Sequence, residues 1–194
     1  MSRMTDSSGN KKEKLMHQSF RIEEEVIKAL TEEALKKGIS LSSLVNRTLK
    51  NYTTHEMQFE ELGFILVSKE FLRKVFNMIE NENHIEDFGR EFGLTIAKEY
   101  VSYFYPQVNS STLILFLNLW FRRFQTFRYR ADAEHDDPGK QLHFYTVTHD
   151  INMKFSLALK AILEGLIEPV IKRTVEFKDL TANSVTFSFE TNTR

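Results

Sequence analysis

The sequence predicts an α+β protein in two parts, and three observations predict it. Residues 16–22 alternate between polar and apolar side chains, as a short strand does, and two stretches with helical periodicity follow them. Further helical patterns occur after residue 53. Two pairs of aromatic and β-branched segments, each pair separated by turn residues, then indicate β-hairpins. We therefore expect a small N-terminal module followed by a domain with helices and a mostly antiparallel sheet built from two hairpins.

Composition sets limits on the class of protein. The chain has 194 residues, of which 41% are hydrophobic and 27% charged, as in ordinary globular proteins. Its longest apolar runs are too short to cross a bilayer, and residues 1–14 lack the apolar stretch of a signal peptide. Cysteine is absent, which excludes disulfides, thiolate metal sites and a cysteine nucleophile. We expect a cytoplasmic protein with no membrane partner.

The net charge of −1 is unevenly distributed along the chain. Residues 1–52 contain ten Lys and Arg against seven Asp and Glu, which leaves a net charge of −4 on the remainder. A basic module beside an acidic one agrees with DNA binding at one end. We expect residues 1–14 to form a flexible arm, which either adds phosphate contacts or is a solvated tail.

In the predicted strand, the period-two alternation places His17, Ser19 and Arg21 on one face. Phe20 and Ile22 lie on the other face, where we expect them to pack on the helices. The polar face would then be turned towards a binding partner, or it is simply the solvent side of an edge strand.

Two helices with a glycine turn between them complete the module. The first predicted helix covers residues 23–37, with acids in its first turn and lysines in its last, as the helix dipole favours. Gly38 stands where a left-handed C-terminal cap is expected. Ser40 is the predicted N-cap of the second helix, residues 40–52.

This order of elements resembles the ribbon-helix-helix superfamily of dimeric DNA-binding proteins, the class of the Arc and MetJ repressors. The resemblance covers residues 15–53 and departs from the family pattern at Gln18, where an apolar residue is usual. It implies that two chains pair their strands into a β-ribbon in the major groove. His17, Ser19 and Arg21 would then contact bases.

The resemblance also assigns phosphate contacts to the start of the second helix. The main-chain N–H groups of Ser40, Leu41 and Ser42 are the positions that match the family's phosphate clamp. Elementary physics supports the same role, since exposed N–H groups and the helix dipole attract anions.

Residues 54–194 are expected to form an α+β domain for dimerisation or ligand sensing. Its layout is similar in outline to ligand-sensing domains such as the vinyl-reductase-like fold, although no motif is specific enough to assign that family. Asn83, Ser110 or Ser111, and Asp150 are predicted to begin helices, and Pro169 to end one. The predicted elements are helices at 69–79, 83–103, 110–121 and 151–167, and strands at 124–130, 142–148, 174–178 and 184–189.

Several residue groups in this region admit a functional and a structural interpretation. His143 and His149 share one strand face and, with Asp150, either form part of a site or are hydrogen-bonded structural histidines, which is the commoner case. The apolar cluster at 116–121 either lines a ligand pocket or is core. An acidic group with one histidine lies around a predicted turn and has metal-ligating chemistry, although its spacing is not diagnostic of a metal site: Asp132, Glu134, His135, Asp136 and Asp137. A basic patch consists of Arg122, Arg123, Arg128 and Arg130.

The function we expect is a homodimeric, sequence-specific, DNA-binding transcriptional regulator without enzyme activity, cofactor or metal. Its expected partners are double-stranded DNA, a second copy of the chain and, where the second domain is a sensor, a small-molecule effector. No phosphate loop and no nucleophile–base pair at a defined spacing points to an enzyme. The alternatives are an enzyme or ligand-binding protein whose N-terminal module only dimerises, and a non-specific nucleoid-type DNA binder.

Overall fold

The computed structural model describes residues 18–133 and 139–192 and has an α+β fold, as the sequence predicts. The chain divides into two compact units, residues 1–53 (the N-terminal unit) and residues 54–194 (the C-terminal unit). The elements are α1 (Glu24–Lys36), α2 (Leu41–Asn51), a π-helical turn (Tyr52–Glu56), α3 (Met57–Glu61), α4 (Lys69–Met78), α5 (Glu82–Phe92), a second π-helical turn (Gly93–Ala97), α6 (Lys98–Phe104), α7 (Ser110–Phe121), β1 (Thr126–Ala133), β2 (Lys140–Thr148), α8 (Met153–Ile171), β3 (Glu176–Leu180) and β4 (Ser184–Asn192).

A tight glycine turn joins the two helices of the N-terminal unit. Gly38 has a φ of 64°, the left-handed conformation predicted for it. Its amide donates to the carbonyl of Leu35, and the amide of Ile39 donates to that of Ala34, both at 3.1 Å. This pair of bonds is the Schellman pattern that ends a helix and redirects the chain. Residues 18–23, ahead of α1, belong to no helix or strand of the single chain.

The C-terminal unit contains a four-stranded antiparallel sheet with the strand order β1-β2-β4-β3. The pairs β1–β2 and β3–β4 are the two predicted hairpins, and β2 pairs with β4 in the centre. The register shifts between Phe177 and Asp179 in the edge strand β3. Such an irregularity at an edge discourages pairing with a further strand. The predicted antiparallel sheet is confirmed.

The core lies between one face of this sheet and two apolar helices. Alternate residues of the central strands point into it, because successive side chains of a strand face opposite sides. Helices α7 and α8 supply the apolar residues opposite them. The buried residues of this core include Tyr145, Val147, Val185, Phe187 and Phe189 from the strands, and Leu113, Phe116, Leu117, Phe121, Leu159, Leu163, Leu166 and Ile167 from the helices.

Glycines allow α5 and the π-helical turn after it to approach α8 closely. A Cβ atom at Gly93 would lie 2.2 Å from the carbonyl oxygen of Ile162, and one at Gly165 would lie 2.4 Å from that of Arg90. Backbone atoms cannot move aside as a flexible side chain can. These positions therefore require glycine, and the contact holds the π-helical turn against α8.

Helix α8 starts and ends later than the sequence predicts. Asp150, the predicted N-cap, has a φ of 61°, and its amide donates to the carbonyl of Asn183 at 3.1 Å. The helix therefore starts only after Asn152, which is its N-cap. Pro169 lies inside the helix rather than ending it, and Lys172, with a φ of 56°, provides the left-handed end.

Asparagine also replaces the predicted caps of two other helices. Asn109 caps α7 through a reciprocal pair of bonds with Thr112, at 3.1 and 2.9 Å, which is a capping box. Ser110 and Ser111, predicted as caps, are the first residues of the helix. Asn81 caps α5, two residues before the predicted position.

Candidate functional site

The segment ahead of α1 carries the residues predicted to read DNA bases. Ser19 and Arg21 are exposed, whereas His17 lies outside the described residues. Phe20 and Ile22, expected to pack on the helices, are exposed too, Phe20 with 69% of its surface. In the single chain both sides of the segment therefore face solvent. The backbone of residues 18–23 belongs to no helix or strand of the single chain.

The start of α2 has the chemistry of an anion site. The Oγ of Ser40 accepts the N–H of Ser43 at 3.1 Å, which confirms the predicted N-cap. Leu41 is half-buried, and Ser42 is exposed. Their amides are in the first turn, where helical N–H groups have no intrahelical acceptor. No acidic residue lies in this turn, so no side chain of its own neutralises the positive end of the helix dipole.

The N-terminal unit buries little apolar surface. Among its described residues, Ala34 and Leu44 are the buried apolar side chains. A unit this small, with so few buried apolar side chains, usually needs a second copy or another support to fold. Its large exposed apolar side chains, which we call the exposed apolar set, are Phe20, Ile22, Val26, Leu35, Leu49 and Tyr52.

Ion pairs partly neutralise α1. Lys28 pairs with Glu24 at 2.7 Å, and Lys37 pairs with Glu33 at 2.6 Å, both at the i,i+4 spacing. The hydrogen bond and charge of Lys37 lower the pKa of Glu33. These pairs are exposed and add little to stability. Their effect is to cancel locally the charge of two of the lysines in this unit.

His149 is fixed inside the core of the C-terminal unit. Its Nδ1 accepts the N–H of Ile151 at 3.1 Å, so its proton lies on Nε2, which donates to the Oγ of Ser156 at 2.9 Å. Only 2% of the residue is exposed. This burial lowers the pKa of His149 to about 4. The imidazole is therefore neutral near pH 7.

His143, on the same side of β2, has a separate set of partners. Its ring lies between the hydroxyl groups of Tyr129 and Thr191, at 3.0 and 2.8 Å. Burial lowers the pKa of His143 as well. Because each ring nitrogen of His143 and His149 has a neighbour from the core, the geometry favours the structural interpretation of both histidines.

Two arginines of the predicted basic patch, and one of the predicted metal ligands, are engaged in ion pairs. Arg123 pairs with Glu56 at 2.8 Å, and Arg130 pairs with Asp132 at 2.9 Å. Residues 134–137 of the acidic group lie outside the described residues. Within the described part of the chain, no three metal-ligating side chains gather.

The C-terminal unit contains a cavity of about 100 Å³ that is partly open to solvent, which we call the aromatic cavity. Two of its lining residues, Phe116 and Trp120, belong to the apolar cluster noted at 116–121, and Phe116 and Phe121 of that cluster are also part of the core. Sequence reasoning missed the other four, which come from separate segments of the chain. The apolar run at 64–67, which does not follow a helical period, is the sequence feature that could have indicated this cavity. The lining residues are Phe64, Phe92, Ala97, Tyr100, Phe116 and Trp120.

No protein-family model matches the chain, and neither a curated protein nor a solved structure matches it. Each helix within the described ranges is too short or too polar to cross a lipid bilayer.

Proposed function

We propose that the protein is a sequence-specific, DNA-binding transcriptional regulator that acts as a homodimer. Two copies of residues 16–22 pair as an antiparallel β-ribbon and enter the major groove, where base edges carry a distinguishable pattern of donors and acceptors. His17, Ser19 and Arg21 face the bases. A guanidinium such as that of Arg21 binds guanine O6 and N7 with two hydrogen bonds.

The exposed apolar set carries this proposal, because only Ala34 and Leu44 are buried apolar side chains among the described residues of the N-terminal unit. Pairing of two segments buries Phe20 and Ile22 against the helices of the dimer. Burial of each large apolar side chain contributes roughly 1.5–3 kcal/mol. In a twofold dimer every such contact occurs twice. A second copy of the chain thus supplies what the single unit lacks.

The start of α2 supplies the phosphate contacts of the proposed complex. The amides of Ser40, Leu41 and Ser42 bind one phosphate on each side of the ribbon. Such contacts fix the position of the protein on the duplex without reading sequence. Base contacts from the ribbon then provide the specificity.

The C-terminal unit, in this proposal, adds contacts between copies and senses a small ligand. Ligand binding changes the spacing or orientation of the two DNA-binding units, and thereby the affinity for two half-sites. Such coupling requires that the ligand bind the two arrangements with different affinity.

The test is selection of binding sites from a random DNA library by the full-length chain and two variants. Arg21→Ala removes the proposed base reader, and Arg128→Ala removes an exposed arginine of β1 as the matched control. The wild type and Arg128→Ala should enrich a palindromic or tandemly repeated motif. Arg21→Ala should lose this enrichment and remain a dimer.

Two outcomes contradict the proposal. Affinity that follows salt concentration and ignores sequence indicates a nucleoid-type binder instead. Enrichment that survives in Arg21→Ala shows that base reading lies elsewhere in the chain, and the predicted ribbon is then not the reader.

A further inference from the structure

The lining of the aromatic cavity is almost entirely aromatic. Its lining consists of five aromatic side chains and one alanine, and carries no charged group. The ring of Tyr100 lies 5.0 Å from that of Phe64 and 6.4 Å from that of Phe92, and the rings of Phe116 and Trp120 lie 6.1 Å apart. These distances fall within the range of favourable aromatic contacts. The rings thus pack against one another around the cavity.

The π-helical turn Gly93–Ala97 helps to keep the cavity open. Ala97 ends the π-helical turn Gly93–Ala97 and contributes the smallest side chain of the lining. The close contact of Gly93 with Ile162 fixes this turn against α8. Single π-helical turns within longer helices frequently occur at functional sites. Here the turn places a methyl group where a larger side chain would fill the cavity.

We propose that the aromatic cavity binds a small, uncharged molecule with a single apolar ring. A cavity of about 150 Å³ with apolar walls holds benzene. The present volume of about 100 Å³, partly open to solvent, takes such a ring inserted with one edge towards water. An anion inside would be desolvated without a partner and would meet the negative faces of the rings, so anions are excluded. Aromatic walls favour a ring over a chain because the rings make edge-to-face contacts.

Phe64 is the wall residue best placed to respond to the ligand. It lies in the connection between α3 and α4, where Leu66 is fully exposed. Its ring also contacts Phe59, 4.9 Å away, beside the guanidinium of Arg123. A ligand in contact with Phe64 therefore acts on a segment that few other contacts hold in place.

Trp120 makes this binding directly measurable, because it is the only tryptophan of the chain and lines the cavity. Bromobenzene, whose bromine quenches fluorescence on contact, should quench Trp120 with a saturable dependence on concentration in the full-length protein. Its anionic counterpart 4-bromobenzoate should give only the linear quenching of random collisions. Toluene, which carries no heavy atom, should reverse the bromobenzene effect by competition.

Two variants assign the binding to this cavity. Ala97→Leu fills the space and should weaken bromobenzene binding by at least about tenfold. Phe64→Ala removes one wall and should weaken it by about fivefold. Phe71→Ala truncates an exposed phenylalanine of α4 and is the matched control with wild-type affinity.

The proposal fails if bromobenzene quenches only linearly, or if Ala97→Leu and Phe64→Ala both bind as the wild type does. It also fails if saturable quenching appears only on dilution to the monomer. That result would show that a second copy, not a small molecule, occupies the cavity.

An effector role for this ligand rests on the proposed DNA-binding function, whereas the binding itself does not. Bromobenzene should change the affinity for the selected DNA motif by at least about threefold in the wild type and leave Ala97→Leu unaffected. Saturable quenching without any selected motif refutes the regulator and leaves the ligand site intact. A selected motif with unchanged affinity refutes the effector role.

Discussion

His149 donates its Nε2 proton to the hydroxyl of Ser156 at 2.9 Å, and this bond joins the end of β2 to the first turn of α8. The other ring nitrogen accepts the N–H of Ile151, and the Ser156 hydroxyl donates onward to the carbonyl of Thr181. A protonated ring carries hydrogen on both nitrogens and cannot accept the Ile151 amide. This chain of hydrogen bonds is therefore complete only when His149 is neutral.

The free energy of unfolding should consequently fall as the medium is acidified. Burial, assisted by the charge of Lys69 and opposed by that of Asp150, lowers the pKa of His149 from 6.5 to about 4. The unfolded chain therefore binds the proton first. The stabilisation is fully present above about pH 6.5 and is lost towards about pH 4, by an amount on the order of 3 kcal/mol. Urea unfolding near neutral pH and near pH 4.5 measures the difference.

Two variants isolate the contribution of His149 to this profile. His149→Gln removes the titrating ring and should flatten the dependence while lowering stability near neutral pH. His84→Gln removes an exposed histidine of α5 and is the control. His143, whose pKa burial also lowers, acts in the same direction. A wild-type stability that is constant or rises on acidification contradicts the account.

Gly93→Ala should destabilise the C-terminal unit by about 2–3 kcal/mol, because the added methyl group meets backbone and overpacks the contact with α8. Its Cβ would lie 2.2 Å from the carbonyl oxygen of Ile162. Thr95→Ala, an exposed change in the same turn, should stay within about 0.5 kcal/mol of the wild type. Chemical denaturation of both variants tests this, and equal stabilities would show that the contact is not tight.

Phe20→Ser should weaken dimerisation by about a thousandfold, since loss of one buried phenylalanine from each copy removes about 4 kcal/mol. The single chain leaves Phe20 exposed, so without a dimer the change has little consequence. Phe71→Ser, at an exposed site in α4, is the matched control. Sedimentation equilibrium of both variants gives the dissociation constants. Identical constants would remove Phe20 from the interface.

Leu41→Pro should lower the affinity for every DNA sequence by about tenfold, because it removes one phosphate-binding amide. Proline fits this first helical position, and the preceding Ser40 already has the extended conformation that proline requires, with φ −72° and ψ 151°. Leu41→Ala removes the side chain but retains the amide. Titration of specific and random DNA with both variants separates the two effects. Equal affinities would exclude the Leu41 amide from the contact.

Local patterns in the sequence were sufficient for the elements that depend on near neighbours. The ends of α1 and α2 lie within one residue of prediction, because Gly38 and Ser40 determine them by short-range hydrogen bonds. The four predicted strands are confirmed for a similar reason, since aromatic and β-branched residues are frequent in the predicted segments.

Features that depend on distant residues were not predictable in this way. Helix α8 continues past Pro169, where Glu168 accepts the amide of Lys172 through its carbonyl and the amide of Val175 through its side chain. Strand β4 continues to Asn192 because Thr191 and Asn192 pair with Gln141 and Lys140 of β2. The aromatic cavity likewise combines residues from separate segments, which no single periodicity connects.

Competition titration of the selected DNA motif against random DNA tests the central claim most directly. The wild-type dimer should prefer the motif by at least about a thousandfold at physiological salt. Arg21→Ala should lose most of this preference. Its affinity for random DNA should fall by no more than the loss of a single phosphate contact would cause, because the start of α2 is unchanged. A wild-type preference near unity, or the same preference in Arg21→Ala, would contradict base reading by the segment ahead of α1.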